Sequence, residues 1–101
     1  TLDLKRLHDV NHNDAIDEIN IFPNPFLEST KIELRMQQPG MVQFTFYDLS
    51  GKLIYTYENV FQSGKQQIEI GKKELGSGAG IITCQVVCRT QVVTKKLVMM
   101  H

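Results

Sequence analysis

Turn residues interrupt this chain so often that no long element fits between them. From Ile19 onward, clusters of glycine, proline, asparagine, aspartate and serine recur roughly every eight to twelve residues. The stretches between them alternate apolar and polar side chains instead of carrying a helical stripe. The clearest case sets Thr30, Ile32, Leu34 and Met36 against Lys31, Glu33, Arg35 and Gln37, one apolar face and one charged face, which is the pattern of a half-buried strand. Gln38-Pro39-Gly40 then turns the chain, proline fixing φ and glycine admitting positive φ. Val42, Phe44 and Phe46, alternating with Gln43, Thr45 and Tyr47, predict a second strand facing the same core.

The rest of the chain repeats this grammar. Asp48-Leu49-Ser50-Gly51 has hairpin length with Gly51 at the left-handed position, and leads into a strand over 52–57. Ile68 and Ile70, opposite Gln67 and Glu69, mark a strand over 65–70. Residues 71–80 hold four glycines and one apolar anchor, Leu75, and read as a loop crossing between sheets. Residues 81–89 and 91–100 predict a strand pair turning near Arg89-Thr90. With a short stretch over 19–22 the total is seven strands, and the expected fold is all-β: a seven-stranded antiparallel immunoglobulin-like β-sandwich over 19–101. Residues 1–18 are polar, rich in Asn and Asp and without periodicity, and read as a linker or the tail of a preceding domain. A chain of 101 residues hides roughly 60–65% of its unfolded surface, enough for one modest core.

Several function classes lose their footing on composition. Lysine plus arginine and aspartate plus glutamate both number 11, a formal net charge of zero, which argues against a nucleic-acid partner. No apolar run approaches the ~20 residues of a membrane span. Residues 1–10 also lack the order of a signal peptide, so any such signal is expected upstream. Cys84 and Cys88 on one strand would share a face about 13 Å apart, beyond the Cα separation of about 7 Å that a disulfide allows; they read as two free, buried thiols. No second Cys or His pair completes a zinc site. His8, His12 and His101 lie at the ends, away from any nucleophile in the patterned region, so no catalytic residues, metal or cofactor are expected. Residues 9–20 partly match a calcium loop, since oxygen-bearing side chains recur from Asp9 to Asn20. Asp14 stands where that loop needs glycine and the bidentate Glu is missing, so a linker is the better reading.

Three landmarks carry a family resemblance. Phe22-Pro23-Asn24-Pro25-Phe26 is similar to an aromatic-Pro-Asn-Pro box; Tyr47-Asp48-Leu49-Ser50-Gly51-Lys52 resembles a Tyr-Asp-hydrophobic-x-Gly-Lys hairpin; Leu75-Gly76-Ser77-Gly78 resembles a Leu-x-Ser-Gly lead-in to the penultimate strand. In this order, and closed by Thr94-Lys95-Lys96-Leu97-Val98, they resemble the type A C-terminal sorting domain of the type IX (Por) secretion system of Bacteroidetes, over residues from about 16 to the end. The chain departs from that pattern at Ala79-Gly80-Ile81-Ile82, where the family has an aromatic, which puts the local strand register in question.

The resemblance implies a sorting signal that takes its cargo across the outer membrane. Its partners would be the outer-membrane translocon and a shuttle protein, and a sortase-like cysteine protease would cut the linker before Phe22 and replace the domain with a surface anchor. It puts recognition on Pro23, Asn24, Pro25, Asp48, Gly51, Lys52, Gly78, Lys95 and Lys96. Most of these have a plainer reading beside that one, Lys52 as a solvated charge next to the turn. Pro23 and Pro25 suit an edge strand that resists pairing; Asn24 suits a turn capped through nearby backbone; Gly51 suits turn geometry; Lys95 and Lys96 suit charges that keep an edge strand from aggregating. Unpaired edges also leave room for a dimer. Two rivals remain open: a carbohydrate-binding or spacer module, which needs a platform built from Tyr47, Tyr55 and Tyr57, and a retained assembly domain of a secretion-system component.

Overall fold

The computed structural model describes residues 15–78 and 80–100. Seven strands and one helical turn follow in the order β1 (Ile16–Phe22), β2 (Ser29–Met36), β3 (Gly40–Tyr47), β4 (Leu53–Phe61), β5 (Gly64–Gly71), α1 (Lys72–Leu75), β6 (Gly80–Cys88) and β7 (Gln91–Met99). They form two antiparallel sheets, β1-β2-β5 and β4-β3-β6-β7, packed as the expected sandwich.

Alternation decides which side chains lie between the sheets. Thr30, Ile32, Leu34 and Met36 of β2 in one sheet, and Val42, Phe44 and Phe46 of β3, Ile82, Cys84, Val86 and Cys88 of β6, and Leu97 and Met99 of β7 in the other, are all buried. Each large apolar side chain withdrawn from water in this way contributes about 1.5–3 kcal/mol. Phe44 packs edge-on against Phe61 at 6.1 Å between ring centres, tying the β3–β4 hairpin into the layer.

Three boundaries differ from expectation. β1 opens at Ile16 instead of Ile19, because Ala15 and Ile16 are buried. The Gln91 carboxamide accepts from the Ile16 N–H (3.0 Å) and donates to its C=O (2.8 Å). A bulge between Ile16 and Glu18 breaks the alternation there, so the period-2 signal is lost. β4 runs to Phe61 instead of ending near residue 57, since its partner β3 supplies ladder positions as far as Gly40↔Phe61. The crossover over 71–80 contains one turn of helix, α1, opened by the Gly71 N–H donating to Glu74 Oε1 (2.8 Å) and anchored by the buried Leu75. The β6–β7 hairpin turns at Arg89-Thr90 as expected, with Arg89 at φ 58°.

Candidate functional site

Antiparallel order brings three of the expected landmarks to one end of the sandwich. Residues 23–28 leave β1 and enter β2 there, residues 48–52 join β3 to β4 there, and the crossover leaves β5 and enters β6 beside the end of β7. Contacts join these segments. The Lys72 N–H donates to the Glu28 carbonyl at 3.0 Å, linking crossover and box. A cleft of about 410 Å³ lies between Leu49 of the hairpin and Gly78 and Ile81 of the crossover side. Phe22, Leu27, Leu49, Leu53, Ile81 and Met100, six large apolar side chains left exposed, sit at this end, Leu49 being 78% exposed.

The box is held from both sheets. The buried Thr30 hydroxyl donates to the Pro23 carbonyl at 2.6 Å. On the other side, the Asn24 carboxamide donates from Nδ2 to the Lys96 carbonyl (2.9 Å) and accepts at Oδ1 from the Val98 N–H (2.9 Å). Phe26 then continues along the same edge, its N–H donating to the Val98 carbonyl (2.9 Å) and its carbonyl accepting from the Met100 N–H (2.8 Å). Phe26 is 1% exposed and forms a parallel bridge with Met99. This corrects the expectation for Asn24: its partners lie on the last strand, not in nearby backbone. Pro23, Asn24 and Pro25 are exposed.

In the hairpin, Asp48 Oδ1 accepts from Ser50 N–H (2.9 Å), Ser50 Oγ (2.7 Å) and Lys52 N–H (2.9 Å). These bonds, the Ser50 hydroxyl first, hold the Asp48 carboxyl below its ordinary value of 3.8. Gly51 takes φ 91°, the left-handed geometry expected of it. Lys52 is exposed beside it. Gly78 is exposed, with nothing within 4 Å of where a Cβ would stand.

Lys95 and Lys96 point apart. Lys95 lies opposite Cys84 on the core-facing side of β7 and lines a groove between β7 and β1 together with Asp17, Glu18 and Gln91. Lys96 pairs with Thr83 on the outer face. The two cannot form one basic patch. The contributions of Thr30, Phe26 and Gln91 are not legible in the sequence: Gln91 is one polar residue beginning a strand, and nothing local announces a partner 75 positions away.

Other chemistries find little here. Cys84 and Cys88 are free and buried, and burial pushes the Cys84 thiol up to about 12. Among the described residues no group of three His, Cys, Asp or Glu side chains gathers to hold a metal. Asp17 and Asn20 lie in β1; the part of the calcium-loop pattern before Ala15, with His8, His12 and His101, lies outside the described residues. Tyr55 and Tyr57 are half-buried against Phe46 and Phe44, both at 6.0 Å between ring centres, while Tyr47 faces the other side of its sheet. The three tyrosines therefore make no common platform for a sugar. No helix among the described residues is long and apolar enough to cross a membrane.

The family model described as "Secretion system C-terminal sorting domain" matches residues 20–100. No curated protein matches. Among solved structures, the chain is similar to the dimeric latent PorU of Porphyromonas gingivalis (TM-score 0.62, 20% identity), covering 80% of this chain and 9% of that one. It is also similar to a β-glucuronidase from Parabacteroides merdae (TM-score 0.56, 11% identity), covering 85% of this chain and 13% of that one. A β-glucosidase from Listeria innocua (TM-score 0.53, 14% identity) is covered to 16% of its length by 85% of this chain. At such identities these likenesses speak for the sandwich fold alone, and the chain spans a small fraction of each of those proteins.

Proposed function

From the premise that this chain belongs to the family of secretion system C-terminal sorting domains, we propose that the end of the sandwich carrying box, hairpin and crossover is the surface its export machinery reads. The domain is the sorting signal of a type IX secreted cargo and takes that cargo across the outer membrane to the surface or beyond. The observation that carries the more specific reading is spatial: segments spread over residues 22–100 meet at one end, where apolar side chains stay exposed.

In this reading an outer-membrane shuttle protein of the translocon binds the folded domain through Pro23, Asn24, Pro25, Asp48, Gly51, Lys52, Gly78 and Lys96, with Lys95 serving the β1–β7 groove. The domain carries no catalytic role of its own. A sortase-like cysteine protease then removes it and a surface anchor takes its place. Residues 16–22 form a hydrogen-bonded strand, so a cut before Phe22 in the folded domain falls upstream of Ala15, in the segment assigned as linker. A dimer through edge strands would use β4 or β5, since the box fills the β7 edge over residues 96–100 and the Gln91 side chain binds the Ile16 backbone on the β1 edge.

Deleting residues 94–101 from a reporter fusion is expected to leave the reporter in the periplasm. That deletion also removes the buried Leu97 and Met99, so the paired surface substitutions Lys52→Glu and Lys96→Glu, which spare the core, accompany it. Undiminished export of both variants would overturn the proposal.

A further inference from the structure

Between two prolines, the box has little backbone with which to pair. Pro23 and Pro25 carry no N–H, yet the box lies along β7 and satisfies four successive groups on that strand's outer edge: the Lys96 carbonyl, the Val98 N–H, the Val98 carbonyl and the Met100 N–H. Phe26 supplies the last two partners through its main chain. The first two come from the side chain of Asn24, whose planar amide offers one acceptor and one donor as a peptide unit does. Only a carboxamide of this length has both groups at this reach: aspartate lacks the donor, leucine lacks both, and glutamine is longer by a methylene.

We infer that Asn24 is a positioning residue for sorting: its carboxamide stands in for a strand residue and latches the box onto the last strand, so that box and tail are presented as one composite surface. The inference rests on the reading of this end as the recognised surface. Its consequence is that the signal is written only when the chain folds, because the two halves of the surface lie 72 residues apart in sequence. A second consequence is that the machinery does not add a strand to β7 over residues 96–100, where the edge is already filled. It reads side chains instead.

The test uses the full chain, alone and fused to a reporter cargo, with two variants. Asn24→Leu, close to asparagine in size, removes both the donor to the Lys96 carbonyl and the acceptor for the Val98 N–H. Met36→Ala, buried at the opposite end of β2, lowers the thermal midpoint at least as far without touching the latch. In Asn24→Leu, the Val98 amide is expected to exchange about tenfold faster, as when one hydrogen bond of ordinary net strength is lost, while the Val86 amide in β6 keeps its protection. Export of this variant should fall sharply, and export of Met36→Ala should hold. The latch is overturned if Asn24→Leu leaves Val98 protected, if it exposes Val98 but exports like the parent, or if Met36→Ala loses export equally. Failure of the underlying reading looks different: the Lys52→Glu and Lys96→Glu fusion would then be exported normally with the latch intact.

Discussion

One carboxylate oxygen of Asp48 organises the β3–β4 hairpin, accepting three hydrogen bonds from Ser50 and Lys52. Because the folded value lies below the unfolded one, the stability this group contributes is present above the unfolded value of 3.8 and is lost as pH falls through the folded value. Acidification through that folded value, below 3.8, should therefore release the Ser50 and Lys52 amides, visible as shifts in their resonances, and Asp48→Asn should remove that pH dependence. Gly71 matters for a different reason: a Cβ there would collide with the Glu28 carbonyl oxygen and sit against Ser29, where the crossover presses on the start of β2. Gly71→Ala is expected to cost about 1–3 kcal/mol in denaturant unfolding. Gly78 has open space, so Gly78→Ala should stay within about 0.5 kcal/mol of the parent. Equal effects at the two glycines would contradict this account.

At the scale of the element, β6 carries Cys84 and Cys88 on its core face, two pairs of residues apart, with Val86 between them. An extended strand holds such positions about 13 Å apart, so a Cys84–Cys88 disulfide and strand β6 exclude each other. The folded chain should keep both thiols when exposed to oxidised glutathione. The unfolded chain, once oxidised, should fail to regain its β-sheet signal in circular dichroism until a reductant is added; refolding of the disulfide form would refute this. β7 shows the same division of faces: Lys95 is an inward-pointing charge on an edge strand, which discourages pairing with a second copy, while Lys96 lies outward.

The whole molecule presents two unlike outer faces. On the three-stranded sheet, Glu18, Arg35 and Lys65 form one row, with Arg35–Glu18 at 3.6 Å and Lys65–Glu33 at 3.9 Å. Exposed pairs of this kind contribute at most about 1 kcal/mol each. The middle row of the four-stranded sheet, Thr56, Thr45, Gln85 and Thr94, is uncharged. Stability comes from between the sheets, where Leu97 is fully buried: Leu97→Ala is expected to cost about 2–5 kcal/mol, measured by denaturant unfolding. A loss under 1 kcal/mol, on the scale of a surface change, would show that β7 is dispensable to the core.

Short-range patterns determined a good part of this by themselves. The alternation in 30–36 and 42–46, the Gly51 turn and the Arg89-Thr90 hairpin were legible because period-2 burial and left-handed turns are properties of neighbouring residues. The family was legible for the same reason, being written in local motifs. Only the tertiary structure decided that Ile16 is part of β1, that Asn24 and Phe26 bond the last strand, and that Lys95 and Lys96 face apart. Those outcomes depend on which distant edges the two sheets bring together, and a hydrogen bond spanning more than seventy residues leaves no mark in the residues beside either partner.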